Sequence, residues 1–396
     1  MKPRASLNVA HISFFNDPAE RLPEELLVAW PSLGDVADAV CEAGGCVSVV
    51  QACAHTQHLV HKGVQYFFLP LGRAPAAHWH GSLGKLLRVL APDVCHVHGL
   101  DFHPEVLALA ALAPRIPIVL QDHASRAPRL WRRPLWRRGL SVAAGITFCS
   151  LEQARPFVDA GLIDSKTELY AIPESTSRFS PGDQAEARRM ASITGDPAVL
   201  WVGHLDVNKD PLTVLRGIRD AARVLPDLQL YCCFGTAPLL SEVEECIGQD
   251  PMLRERVHLL GRVPHERVEH LMRAADLFVL GSHREGSGFS LIEALACGLP
   301  PVVTDIPSFR SLTAAGTIGM LWPCGDSRAL CAALVGSAAR VGPDLRAAVR
   351  AHFERELSFA ALGLKLCAMY QDLIERKRST VLSTRGADPD AALRSS

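Results

Sequence analysis

Short runs of β-branched and apolar residues alternate with helix-length stretches along almost the whole chain, and they do so in two series. The first series is LNVAHIS (7–13), CVSVVQA (46–52), YFFLP (66–70), DVCHVHG (93–99), PIVLQ (117–121) and GITFCS (145–150), with helices expected near 33–44, 82–91, 104–113 and 152–160. Such alternation implies βαβ units and a parallel sheet. The segment IPESTSRFSPGDQAEARRMASITGDP (172–197) interrupts it with Pro, Ser, Gly and charge, and reads as a connection between domains. The second series is AVLWVGH (198–204), LQLYCCFG (228–235), RVHLLG (256–261), DLFVLGS (276–282) and PPVVTD (300–305), with a helix over 211–225. The expected fold is therefore α/β, with two Rossmann-like doubly wound domains over 1–178 and 179–356 of a 396-residue chain. An amphipathic helix over 357–377 is expected to close the chain and return to the first domain, with a flexible tail over 378–396. Ligands of open α/β sheets bind beyond the carboxyl ends of the strands. Two such domains with those ends facing each other would enclose a central cleft.

Charge narrows the partners. Lys plus Arg number 41 and Asp plus Glu 42, a net charge of −1, so no global field draws the chain to nucleic acid, and no nucleic-acid partner is expected. The twelve cysteines lie largely in apolar runs and form no C-x-x-C, which reads as free buried thiols in a reducing compartment. The start, MKPRASLNVAHISFF, is broken by Asn8 and His11 and reads as a first strand, not a signal peptide. No apolar run reaches the roughly 18 residues of a spanning helix. The expected location is cytoplasmic, with peripheral contact at the inner face of a membrane left open.

The stretch DLFVLGSHREGSGFSLIEALACGLPPVVTD (276–305) carries the most chemistry. A strand ends near Leu280, a loop with Gly281, Gly286 and Gly288 follows, and a helix then runs to Gly298. Loop glycines let backbone N–H groups approach an anion, and a helix N-terminus adds partial positive charge, a pairing suited to phosphate. The helix is apolar on every side except for Glu293. A carboxylate buried there needs partners: sugar hydroxyls would serve, as would a loop cap or an arginine.

Glu285 precedes Glu293 with seven residues between them, and EGSGFSLIEALACGLPPVV closely resembles the E-x-F-G-x-x-x-x-E and A-x-A-x-G-x-P-V motifs of retaining glycosyltransferases of family 4, which have the GT-B fold. The resemblance implies a nucleotide-sugar donor held by the C-terminal half. Glu293 would bind ribose hydroxyls, Glu285 would contact the donor sugar, and the backbone of Gly288, Phe289 and Ser290 would meet the diphosphate. LWVGHLDVNKDPLTVLRGI (200–218) resembles the family's V-G-R-x-x-x-x-K-G. Gly203 and Lys209 fit, while His204 stands where the family has Arg. A guanidinium neutralises phosphate at any pH, a histidine only when protonated. Arg262, after the strand at 256–261, would lie near the nucleotide base.

In the N-terminal half, expected to receive the acceptor, Asp122-His123 follows a strand end, and the resemblance gives His123 a place near the donor sugar. The family's glycine-rich turn after the first strand is missing; only Gly34 lies near the start of the first helix. The run RAPRLWRRPLWRRGL (126–140) holds six arginines, two tryptophans and no acid. It suits an anionic lipid surface or an acidic acceptor, or else a solvated helix face with its tryptophans in the core. His55, His58 and His61, and His96 with His98, lack nearby acidic or cysteine ligands in a metal pattern, and the D-x-D at 388–390 falls in the expected tail. No metal and no resident cofactor is expected.

The resemblance thus implies a metal-independent retaining glycosyltransferase. It would move a hexose-type sugar from a UDP- or GDP-sugar to the hydroxyl of a glycan, lipid-linked or small-molecule acceptor. Lys209, Glu285 and His123 would be the catalytic residues. A non-catalytic nucleotide or glycan sensor, and another GT-B enzyme such as an epimerase or phosphorylase, are the alternatives.

Overall fold

The computed structural model describes residues 7–71 and 81–386, without the side chains of 31–33 and 380–386. The chain forms two compact units. One takes in the chain up to Glu174 and resumes at Leu362; the other is Ser175–Ala361.

The first unit holds strands β1 (Asn8–Ser13), β2 (Cys46–Ala52), β3 (Gln57–His61), β4 (Val64–Leu69), β5 (Val94–His98), β6 (Ile118–Gln121), β7 (Gly145–Phe148) and β8 (Glu168–Ala171). They lie in the order β3-β4-β2-β1-β5-β6-β7-β8, all parallel except the β3–β4 hairpin. Lys62 (φ 49°) and Gly63 (φ 83°) turn that hairpin, two positive φ values in succession as tight hairpin turns require. Strand β3 was not legible in TQHLVHK because it is a polar edge strand. It also disperses the histidines at three-residue spacing: His58 stacks on Phe67 at 4.5 Å, while His61, an odd number of residues on, faces the other way.

The second unit holds β9 (Ala198–Gly203), β10 (Gln229–Phe234), β11 (Val257–Gly261), β12 (Leu277–Leu280), β13 (Pro301–Thr304) and β14 (Met320–Trp322). Their order is β11-β10-β9-β12-β13-β14, every pair parallel. The segment read as a connection contains a helix of its own, Gln184–Ala191, capped by Asp183, whose carboxylate accepts the Glu186 N–H at 2.8 Å. Its Gln184 and Arg188 bind Asp276, whose carboxylate also accepts the Ala198 N–H at 2.8 Å. The feet of β9 and β12 are thereby pinned together.

The last helix, Phe359–Gly386, runs well past residue 377, where a flexible tail was expected; the rest of that tail, 387–396, with its D-x-D, lies outside the described residues. Leu362, Leu366, Met369, Tyr370 and Leu373 form its buried stripe, at the spacing of one helix face. Tyr170 donates to Asp372 at 2.5 Å, and Arg376 pairs with Glu168 at 2.7 Å, fixing the helix to β8. Contrary to the expectation that no apolar run is long enough to span a membrane, an 18-residue window within Pro343–Ser379 has mean hydropathy 1.3; 56% of it is buried, as in the core helix of a globular unit.

Gly363 brings this helix against the helix Pro31–Glu42: a Cβ there would stand 2.0 Å from the Ala39 carbonyl oxygen. Gly363→Ala must push the two helices apart, at a cost of about 1–3 kcal/mol. Gly336, inside the helix Ser327–Ala338, has open space around its missing Cβ, so Gly336→Ala is expected to gain about 0.5–1 kcal/mol. Urea denaturation of both variants checks the pair; equal midpoints would refute the close approach at Gly363.

Candidate functional site

In the second unit the chain leaves β9 towards β10 on one side and returns to β12 on the other, so β9 and β12 flank the topological switch point. Loops diverge there and leave a crevice. The loops that follow these two strands are tied to each other. The His283 N–H donates to the Asn208 carbonyl at 2.8 Å, and the Asn208 side chain donates to the Arg284 carbonyl at 2.9 Å. Asp206 accepts the Lys209 N–H at 2.9 Å, and Asp210 caps the helix Pro211–Ala221 through the Thr213 N–H at 3.2 Å. Gly281 is required beneath them, since a Cβ would stand 3.0 Å from the Lys209 carbonyl oxygen.

Held in this way, the Lys209 ammonium meets the Glu285 carboxylate at 2.5 Å, both side chains largely buried. Three residues on, Gly288 caps the helix Phe289–Ala296 with φ 74°, and a Cβ there would press within 2.6 Å of the Phe309 ring. Both conformation and space demand glycine. The first intrahelical bonds run from Leu291 and Ile292 N–H to the Gly288 carbonyl. The N–H groups of Phe289 and Ser290 precede them and point out along the axis, where the helix is partially positive.

A cavity of about 330 Å³ opens here, lined by Gly203, His204, Lys209, Arg262, Glu285, Phe289, Ser290 and Glu293, with Cys233, Phe234 and Gly235 from the end of β10. Residues far apart in sequence thus share one wall. His204 Nδ1 lies 3.2 Å from the Thr236 N–H, which donates to it. That nitrogen therefore carries no proton, and the ring offers its Nε2–H instead. Glu293 is half-buried and pairs with His265 Nε2 at 2.6 Å, a partner that sequence spacing did not suggest. His265 opens the helix His265–Ala274 and packs on Phe179 at 4.6 Å.

The first unit has the same architecture, with its switch point between β1 and β5. Gln51, Ser13, His98, Gln121 and Thr147 stand in register across five neighbouring strands, a polar row at the carboxyl edge of the sheet. A cavity of about 300 Å³ lies at this edge, lined by Ser13, Phe15, Gln51, His98, Gly99, Asp101, Phe102, His123, Ser125 and Glu174. His123 forms an ion pair with Glu174. Burial draws the His123 pKa down, but the hydrogen bond and charge of Glu174, with the charge of Asp122, outweigh it and raise the pKa above the ordinary value. Burial raises the Asp122 carboxyl, against the opposing hydrogen bonds of Ser125. Glu174 has no signal in the sequence because β8, which leads into it, is only four residues long and none of them is buried.

Behind the cavity His11, His96 and His98 gather with Tyr370. His11 Nδ1 is 3.1 Å from His98 Nε2, the Tyr370 hydroxyl is 2.6 Å from His96 Nδ1, and it is 3.2 Å from His11 Nε2. Among the described residues this is a group that could hold a metal ion, its ligand atoms all within 4.8 Å of one another. Burial drives the His11 pKa down to about 3 and those of His96 and His98 well below the ordinary value, so all three rings are neutral at physiological pH. The imidazole–phenol chain engages most of their nitrogens without an ion.

The arginine-rich run forms a short 3₁₀ turn, Leu130–Arg132, and the helix Arg133–Leu140. Its tryptophans part company: Trp136 is buried against His103 and Phe157, while Trp131 is 75% exposed, beside Leu130 at 74%. All the run's arginines except Arg133 are exposed. Of the twelve cysteines, all free thiols, seven are buried, and Cys46 and Cys324 are exposed.

Residues 183–335 match the family described as glycosyl transferases group 1, a span that contains every lining residue of the second unit's cavity. A GDP-mannose:cellobiosyl-diphosphopolyprenol alpha-mannosyltransferase of Xanthomonas oryzae pv. oryzae is 26% identical over 242 residues, 59% of this chain and 61% of the relative. A phosphatidyl-myo-inositol mannosyltransferase of Mycobacterium leprae is 28% identical over 256 residues, 61% of this chain and 63% of the relative. The match therefore spans less than two thirds of either relative. The structure of a sucrose-phosphate synthase from Thermosynechococcus elongatus aligns with a TM-score of 0.68 at 18% identity, over 93% of this chain and 100% of that one. The fold is GT-B, two Rossmann-like units in one chain.

A raised histidine pKa is a statement about stability. The His123–Glu174 contribution is full below about pH 6.5, the ordinary imidazole value, and is lost as pH rises through the raised one. Glu174→Gln leaves burial opposed by Asp122 alone, so the His123 midpoint, followed by NMR at the imidazole Cε1–H, is expected to fall below wild type. A midpoint that the substitution does not move would show that Glu174 does not govern this proton.

Proposed function

We infer that this protein, whose C-terminal unit is a group 1 glycosyltransferase domain on a GT-B scaffold, is a retaining glycosyltransferase. It moves a hexose-type sugar from a UDP- or GDP-sugar to an acceptor hydroxyl and needs no metal. The observation that carries this reading is the Lys209–Glu285 pair beside the open end of the helix Phe289–Ala296.

Departure of a nucleoside diphosphate concentrates negative charge on its outer phosphate. Lys209, the Phe289 and Ser290 N–H groups and the Nε2–H of His204 offer donors to that charge in a site already organised to hold them. Glu285 holds the ammonium in place, and with donor bound it accepts a sugar hydroxyl. Glu293, oriented by His265, suits the vicinal hydroxyls of a ribose. The bond from the anomeric carbon to the phosphate oxygen breaks as the bond to the acceptor oxygen forms on the same face. The departing phosphate oxygen takes the acceptor proton, so no separate base is required. His123, whose pKa Glu174 raises, serves as a donor to the transferring sugar.

The N-terminal cavity is the acceptor side of this reading. The exposed Leu130 and Trp131, set among arginines, suit insertion at an anionic surface. They would hold the protein against the inner leaflet of a membrane, whose lipids are negatively charged, and so near a lipid-linked acceptor.

Nucleoside diphosphate release from UDP- and GDP-sugars tests the chemistry. Lys209→Ala and Glu285→Gln are each expected to lower turnover by about a hundredfold or more with circular dichroism unchanged; near-normal turnover in both would refute the assignment. For the surface, cosedimentation with phosphatidylglycerol vesicles is expected at low salt, weakened by salt and by Trp131→Ala. Wild-type protein left in the supernatant at low salt would remove the membrane from the proposal.

A further inference from the structure

The N-terminal cavity has a chemical signature of its own. Among the described residues its lining contains two carboxylates, Asp101 and Glu174, two hydroxyls, Ser13 and Ser125, the Gln51 amide and two imidazoles, and no lysine or arginine. Of the imidazoles, His98 is neutral through burial. The other, His123, is paired with the Glu174 carboxylate, with Asp122 behind it. The helix His103–Leu112 starts at this cavity, and its partially positive end would ordinarily favour an anion. Asp101 already stands at its head, with Glu105 in its first turn. The guanidinium that acts on this corner, Arg132, acts on Asp101 and does not line the cavity.

A phosphate placed here would carry close to two negative charges into a half-enclosed space that already holds carboxylates. Repulsion at such range is strong where water is partly excluded, and desolvating a phosphate without cations leaves its oxygens unpaired. Hydroxyl groups meet the opposite situation. Each carboxylate accepts from a hydroxyl, and the serines and Gln51 both give and take hydrogen bonds. We propose that this cavity is built for an unphosphorylated polyol, so that the acceptor ring entering it carries hydroxyls and no phosphate of its own. The proposal rests on the transferase reading for the word acceptor, while the preference itself is a property of the cavity. It places any phosphate of a lipid-linked or activated acceptor outside the cavity.

The test uses the full chain and two matched pairs of probes: methyl α-D-glucopyranoside against glucose 6-phosphate, and myo-inositol against myo-inositol 1-phosphate. Occupancy is read from the imidazole Cε1–H resonances of His98 and His123. The unphosphorylated member of at least one pair is expected to shift these resonances with at least tenfold tighter binding than its phosphate. Asp101→Lys, a change at an exposed position, is expected to improve the binding of the phosphate at least tenfold. Equal or tighter binding of the phosphates by wild type, or resonances that neither polyol moves, would overturn the proposal. Thermal shift with UDP and GDP, run alongside, reports on the other unit. If neither nucleotide raises the melting midpoint, the transferase reading fails, while the cavity's preference is still decided by the resonances.

Discussion

The parallel pairing of β9 with β12 is the constraint on which the C-terminal site depends. Only two residue pairs join these strands, Leu277 with Val199 and Phe278 with Leu200, and the sheet changes direction between them. The chain must then diverge on either side, and both loops are left at the same edge. Asn208 closes them together with one accepted and one donated hydrogen bond. Lys209 and Glu285, 76 residues apart in sequence, become neighbours as a consequence of that knot. Glycine at 281 removes the atom that would hold the loops apart, and glycine at 288 lets the helix start pack against Phe309. The chemistry thus rests on backbone geometry before it rests on charge.

Much of this was legible. The loop glycines, the apolar helix after them and the two carboxylates lie within one continuous stretch, and each has a local physical reason for its place. Lys209 was legible through its fit to the family's V-G-R-x-x-x-x-K-G. What escaped the sequence were partners set by tertiary packing. His265 reaches Glu293 from the start of another helix, and Glu174 reaches His123 from the end of a strand only four residues long. Neither pairing has a periodicity to betray it. The strands that went unseen, β3, β8 and β14, are an edge hairpin and two short strands whose burial alternates weakly. Apolar runs mark strands buried on both faces, and these three are not.

The two units use the same architecture with different electrostatics: the second cavity holds a lysine and an arginine beside its carboxylates, and the described lining of the first holds neither. Beyond the switch point of the second, the cavity wall sets Lys209 and Arg262 beside Glu285 and Glu293, at a helix start whose first turn holds no acid. Beyond the switch point of the first, the wall carries Asp101 and Glu174, and its helix start is faced by acid. One fold, repeated, provides the same crevice twice, and the side chains at the strand ends decide what each can hold.

The Tyr370 hydroxyl meets His11 across 359 residues of sequence, and the order of synthesis gives that contact a further meaning. The second unit is one unbroken span of chain and can collapse as soon as it has left the ribosome. The first unit begins earlier but lacks its covering helix until the whole of the second has been made. Its buried histidines, which tolerate no charge, stay open to water throughout that interval. Domains usually fold from the N-terminal end as they emerge; here the first sheet made is the last to be finished. A nascent or truncated chain ending before 362 would carry a completed C-terminal unit beside an N-terminal sheet with one face bare, the kind of surface that invites chaperones and aggregation.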